Sequence, residues 1–473
     1  MTRHSRQTDR QPLVPGSELG LFTDLYELTM MQAYHEAGMH ETAVFSLFVR
    51  RLPETRNFLL AAGMETLLEQ LETLRFSQGD IDYLASLGHF DESFLGWLAD
   101  LRFTGDVFAV PEGTPVFPNE PILEVVAPLP QAQLIETLVM NQIHLQTVLA
   151  SKAARLALAA GKRPVVDFGA RRMHGIDAAI KGAWAYHLAG IAGTSNMLAG
   201  REYGVPVLGT MAHSFIQACE DETTAFRRYA RRYPQTVLLV DTYDTLDGIE
   251  RVIELAREMG DDFTVRAVRL DSGDLGELAR QARARLDEAG LTEMEIIASG
   301  GLDEHEIKRL IESDAPIDAF GVGTSMGVSH DAPDLDIAYK LAEYAGVGRL
   351  KLSSGKPILP GRKQVFRRSE DGIFCGDVIG RHDEDQPGEP LLRHVMAGGR
   401  RTFPEPDLDD LREQARLAME RLPEAVRRIE PTDPPYPVEI SEQLRSHQDE
   451  VRQAAIERES RHRGPDRDPG GTS

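Results

Sequence analysis

The chain has 473 residues and a formal charge of −23, which argues against a nucleic-acid backbone or an anionic membrane surface as principal partner. An anionic small ligand remains open wherever arginines gather in one cleft. Its 41% apolar and 27% charged residues suit a soluble globular protein long enough for two domains, and Cys219 and Cys375 alone make neither a disulfide framework nor a cysteine-rich zinc site, so a reducing cytoplasm is the expected location.

Residues 1–17 read as a disordered tail, without the apolar segment of a signal peptide. An N-terminal α/β domain is expected over 18–150. In it, TDLYELTMMQAYHEAG (23–38) has helical spacing with Thr23 or Asp24 as cap, and AVFSLFVRRLP (43–53) reads as a strand. The run 107–128 alternates β-like stretches with Pro and Gly turns, and 131–160 reads as one long helix.

An α/β barrel is expected over 151–345. Short apolar runs recur at 164–172, 190–196, 205–214, 236–245, 263–274, 294–304 and 317–325, each followed by a polar or glycine-rich turn and usually by a helical pattern. Strands alternating with helices form parallel sheets, and this many in a row favour a closed or nearly closed barrel with its ligand site after the strand ends. The stretch Gly182–Gly200 carries no Asp, Glu, Lys or Arg, but its GIAGTSN segment would break a membrane helix. Residues 346–440 are expected to return, β-rich, to the first domain and add a C-terminal helix; 441–473 read as a charged, disordered tail.

The polar residues after the apolar runs suggest chemistry. Gly300 and Gly301 precede a helix start with Asp303 and Glu306 in capping-box spacing, and Gly321, Gly323 and Thr324 repeat the pattern one unit on. Backbone amides at such turns suit phosphate, although glycines also serve tight turns alone. Arg269 and Asp271 alternate, so both can face a barrel mouth, the one gripping an anion and the other accepting ribose hydroxyls or holding Mg²⁺ through water. Asp241 and Asp244 are placed alike; for Asp244 and Asp274 helix capping is an equal alternative. Phe168 offers a flat face, with Arg171 and Arg172 beside it. His213 follows Gly209 and Thr210 in a small-residue turn, where an imidazole acts as base or phosphoryl acceptor or merely shapes the turn.

Together and in this order, TDLYELTM, VFSLFVRRLP, EGTPVFPNEP, DFGARRMHG, AGTSN, GTMAHSF, VDTYDT, RLDSGDL, ASGGLDE, FGVGT and SSGKPILPGRKQVFR resemble nicotinate phosphoribosyltransferases over roughly residues 18–370. The resemblance implies an irregular parallel α/β barrel of the type II phosphoribosyltransferase kind, with a second α/β domain built from the N-terminal region and a later β-rich segment. It implies a homodimer with shared active sites. The reaction would join nicotinate and 5-phosphoribosyl 1-diphosphate with Mg²⁺ present and ATP as co-substrate. By motif, Tyr26 of a neighbouring subunit and Phe168 would face the pyridine ring, and Arg171, Arg269 and Thr210 would surround nicotinate and the ribose phosphate. Asp271 would contact ribose, Gly300, Gly301, Gly323 and Thr324 would hold the 5-phosphate, and His213 would be phosphorylated. Ser195 stands where amide-using relatives carry an aspartate, which favours the acid as substrate. With two cysteines the chain cannot form the metal-binding cysteine cluster of some members. A nicotinamide phosphoribosyltransferase and a non-catalytic sugar-phosphate-binding barrel are the alternatives; an aldolase-type barrel would need a strand-end lysine that is missing.

Overall fold

The structure, a computed structural model, describes residues 16–353 and 358–462, so the expected tail over 1–15 and part of the SSGKPILPG motif lie outside the described residues. Gly16 and Ser17, assigned to that tail, instead open a 3₁₀ turn, Gly16–Leu21, whose Leu19 is buried.

Two layers of hydrophobic core organise the chain. The first surrounds a seven-stranded sheet running, edge to edge, Val347–Gly348, Ile337–Tyr344, Thr42–Val49, Pro121–Pro128, Asp106–Ala109, Arg393–Ala397 and Arg400–Arg401. Its neighbours are all antiparallel, and residues from both halves of the sequence pair within it. The expected strand over 43–53 is present as Thr42–Val49, buried at every position after Thr42. Helix Leu25–Glu36 precedes it, but Asp24 at its N-cap makes no side-chain cap. Asp24 accepts from the Thr137 hydroxyl at 2.7 Å instead, tying the helix start to the helix Glu136–Ala160.

The expected helix over 131–160 is interrupted at Ile135, giving Leu129–Leu134 and then the 25-residue helix Glu136–Ala160. That long helix joins the cores. Leu138, Val139, Ile143 and Val148 pack into the first, while Leu149, Ala153, Leu156 and Ala160 pack into the second. Small side chains in its second half let neighbouring elements approach closely.

The second core surrounds a six-stranded sheet in the order Gly193–Thr194, Val165–Asp167, Ala319–Val322, Glu295–Ser299, Ala267–Leu270 and Val237–Leu239. Every pairing is parallel. This is the expected irregular α/β barrel, curled but not closed by backbone pairing. The run 205–214 is not the strand its apolar residues suggest. Only a parallel bridge, Thr194 to Val207, forms, with Leu208 N donating to Thr194 O at 2.9 Å. Pro206 lacks the N–H a ladder needs, and Val207 and Leu208 stay partly exposed. A four-stranded sheet, Glu389–Pro390, Lys363–Glu370, Ile373–Arg381 and Val438–Ile440, completes the later segment.

The charged stretch from 441 is not disordered where described: Glu442–His462 is a helix. Ser441 Oγ accepts from Leu444 N at 3.1 Å, Leu444 is fully buried, and Gln448 donates to Ile358 O at 3.2 Å. Composition missed this because one cap and one anchoring leucine suffice to seat a helix whose other side chains are mostly solvated.

Candidate active site

Five strands of the parallel sheet end around one cleft of about 650 Å³. The residue just past each strand end lines it: Phe168, Ser195, Asp271, Gly300 and Gly323. That is where parallel α/β folds place ligands, because the βα turns converge there. The cleft gathers eleven of the twelve expected site residues, adding Arg171, Thr210, His213, Arg269, Gly301 and Thr324.

Arg269 is the central cation. Its guanidinium donates to Thr210 Oγ1 at 2.6 Å and to Met211 O at 3.2 Å, and lies 5.8 Å from the Phe168 ring centroid. Its Nε is buried without a protein partner. Burial pulls the guanidinium below its ordinary value, opposed by the charges of Asp271 and Asp241. A delocalised cation held beside an aromatic face, with a donor to spare, suits a flat ligand bearing an anionic group.

Thr210 and Met211 belong to the stretch that failed to become a strand, so Arg269 fastens it where backbone pairing does not. His213 continues that closure: Nδ1 lies 3.1 Å from Thr242 Oγ1, and Nε2 lies 3.7 Å from Asp271 Oδ2. The Ser299 hydroxyl donates to Asp271 Oδ1. Asp241, in contrast, spends one oxygen on structure, accepting from Asp271 N at 3.0 Å and Ser272 Oγ at 2.6 Å. Asp244 and Asp274 cap helices, accepting from Leu246 and Asp247 N and from Glu277 N respectively.

The glycine turns meet a strict requirement. Gly300 has φ +84°, and a Cβ there would stand 1.8 Å from Asp271 O. Gly301 has φ +68° with open space around it, so its backbone faces the cleft uncovered. Gly321 serves otherwise than expected: it lies within its strand, and its missing side chain makes room for the Phe168 ring, 2.5 Å from a Cβ there. Asp303 caps helix Glu304–Glu312 through His305 and Glu306 N, but Glu306 turns to Arg309, so the box is only half made. Glu304, fully buried, binds Lys152 and Arg155, and Lys152 also binds Asp331, which pairs with Arg56. This network fixes the helix behind the glycine turn to the long helix.

Sequence reading missed Asp167, Thr242, Ser299 and His330. Asp167 is fully buried, accepting from Gly169 N and Thr194 Oγ1, each at 2.7 Å, while its carbonyl receives Ser195 N. It thereby sets the turns that carry Phe168 and Ser195. Its place before Phe168 was a signal; the cross-strand partner was not readable.

Tyr26 is not in this cleft. It lines a separate hollow with Arg50, Glu136, His144 and Lys340. Among the described residues no group of three His, Cys, Asp or Glu side chains is placed to hold a metal, and no helix is long and apolar enough to cross a membrane.

Comparison with known proteins covers nearly the whole fold. Models of the nicotinate phosphoribosyltransferase N-terminal domain, family and C-terminal domain match residues 21–144, 164–388 and 388–448. A nicotinate phosphoribosyltransferase of Mycobacterium tuberculosis is 58% identical, covering 90% of this chain and 92% of its own. One from Bacillus subtilis is 39% identical, covering 90% and 93%. The crystal structure of human nicotinic acid phosphoribosyltransferase superimposes with a TM-score of 0.80 at 29% identity, covering 91% of this chain and all of that one.

Proposed function

This chain belongs to the nicotinate phosphoribosyltransferase family, and we propose that it joins nicotinate to 5-phosphoribosyl 1-diphosphate, giving nicotinate mononucleotide and diphosphate in NAD biosynthesis. The observation that carries this reading is the single cleft in which Phe168, Arg269, Asp271 and the glycine turns converge. Each meets a different part of the reactants. Phe168 supports the pyridine ring, and Arg269 with Arg171 attracts the carboxylate. Ser195 donates to that carboxylate, where an acidic side chain would repel it. Asp271, held by Ser299, receives the ribose hydroxyls. Amides at Gly300, Gly301, Gly323 and Thr324 take the 5-phosphate.

Bond formation needs little proton chemistry. The pyridine nitrogen attacks C1 of ribose without losing a proton, while positive charge builds on the sugar and negative charge on the departing diphosphate. Positioning and electrostatics therefore dominate. Asp271 lies on the side where ribose charge develops. The donor set fits Mg²⁺ only as an ion shared with substrate phosphates, since a carboxylate or two and water are its usual protein ligands. When bound, that ion neutralises the leaving diphosphate.

ATP enters through His213. Thr242 holds Nδ1, leaving Nε2 turned toward Asp271. Attack of Nε2 on the γ-phosphorus of ATP would break the bond to the β-phosphate and release ADP. The phosphoryl group adds about −1.5 to −2 charges at the barrel's unpaired edge until water releases it as phosphate. That charge orders the 209–212 turn around bound substrate, and hydrolysis resets it. The enzyme is a cytoplasmic homodimer in this reading. Large apolar side chains left exposed, among them Phe22, Leu25, Tyr26, Ile176 and Met197, support the pairing.

The test is product analysis with nicotinate or nicotinamide, each with and without ATP. Nicotinate mononucleotide should form, faster with ATP, and nicotinamide should be a poor substrate. Comparable kcat/KM for acid and amide would overturn the specificity assigned to Ser195.

A further inference from the structure

We propose that His330 is a second phosphate-recognising side chain of the cleft, reinforcing the glycine turns at their Gly323–Thr324 end. The proposal rests on the phosphoribosyl-transfer reading and adds a residue to it.

Local geometry delivers this imidazole to the cleft. The segment after Gly323 makes one short helical turn, Thr324–Gly327, and folds back so that His330 N donates to Ser325 O at 3.1 Å. His330 is thus brought beside Ser325, two residues from Gly323, and both line the cleft. Its neighbours are immobilised. Ser329 is fully buried with φ +44°, a strained value for a non-glycine residue, and its hydroxyl donates to Ala332 O at 2.7 Å. Asp331 is clasped by Arg56 and Lys152, and the same Arg56 reaches Ser329 Oγ at 3.5 Å. One guanidinium thus holds both Ser329 and Asp331, and His330 between them is exposed.

The chemistry needs such a group. Backbone amides at the glycine turns are uncharged donors, while a sugar phosphate is mostly dianionic at neutral pH. The other charged or titratable residues lining the cleft are Arg171, Arg172, His213, Arg269, Asp271 and Asp303. Of these, Arg269 is already engaged with Thr210 and Met211, and Asp303 caps its own helix. The imidazole beside Ser325 supplies a further N–H donor at the phosphate end, where a dianionic acceptor makes the hydrogen bond charge-assisted.

The test compares wild type with His330→Gln, a change at an exposed side chain, after confirming equal thermal melting. Steady-state kinetics should show KM for 5-phosphoribosyl 1-diphosphate raised about tenfold, with kcat and KM for nicotinate little changed. Calorimetry should show nicotinate mononucleotide binding about tenfold more weakly to the variant. Binding of phosphate-free nicotinate riboside should be the same in both proteins. Equal KM and equal affinity for nicotinate mononucleotide in the two proteins would overturn the role of His330. Wild-type turnover of nicotinate tests the parent reading separately, since only the difference between the proteins bears on this residue.

Discussion

His213 is legible in sequence as a histidine after small residues, and the structure adds why it stands there. It occupies the gap between Leu208, the last residue bridged to the sheet, and the strand Val237–Leu239 at the opposite edge. Among the described residues side chains rather than backbone pairs span that gap, so a charge added to the ring acts where the barrel is held by side chains. Wild type incubated with γ-labelled ATP should acquire an acid-labile, base-stable label. His213→Asn should take up none, losing ATP stimulation but retaining a weak ATP-independent transfer. An Asn variant that still responds to ATP like wild type would reduce His213 to a turn residue. Residues whose type announces their chemistry, Arg269, His213 and the paired glycines, could be found from sequence. Thr242 and Ser299 could not, and Asp167 only by its place before Phe168, because each acts through a partner on the neighbouring strand or loop.

At the scale of elements, the helix Met64–Thr73 shows what sequence reading leaves out. Its N-cap is Gly63, which has φ +107° and no side chain to offer. The cap comes from far along the chain: Glu112 accepts from Gly63 N at 3.1 Å and from Glu65 N at 2.9 Å. Burial pushes the Glu112 carboxyl up to about 8, with the nearby Glu65 charge adding to the rise against the backbone hydrogen bonds. The folded protein therefore favours the neutral acid. That contribution is complete below the ordinary glutamate range and is lost as pH rises toward about 8. Glu112→Gln keeps an acceptor and cannot ionise. Its stability relative to wild type should increase from about pH 5 to about pH 8, by up to roughly 1.4 kcal/mol per unit. Denaturant titrations across that range check it; a constant difference between the two proteins would mean Glu112 stays ionised in its cap. The same non-local logic hid the helix Glu442–His462 and demoted the 205–214 run. In both, one packed residue or one missing N–H outweighed composition.

At the scale of the molecule, alternating apolar runs were enough to show an α/β barrel, since each βα unit is patterned locally. The way the two cores share the helix Glu136–Ala160 was not, because one continuous apolar pattern does not reveal that its halves face different layers. Tyr26 poses the largest-scale question. Its family motif assigns it to the pyridine ring, yet it lines a hollow that shares no lining residue with the cleft holding Phe168. Tyr26 is 46% exposed, too open for a packing role alone. If Tyr26 works on a ring bound against Phe168, the two must come from different chains, and the exposed side chains of Tyr26, Ile176 and Met197 are surfaces that twofold pairing would bury twice. Tyr26→Ala and Arg269→Ala should each inactivate their own homodimers. A hybrid of the two carries one site with both defects and one intact site. Random exchange of equal amounts should thus recover about a quarter of wild-type activity, half of the dimers each having one good site. Native mass spectrometry would establish that hybrids formed, and hybrids as inactive as both parents would place Tyr26 and Arg269 in sites belonging to a single chain.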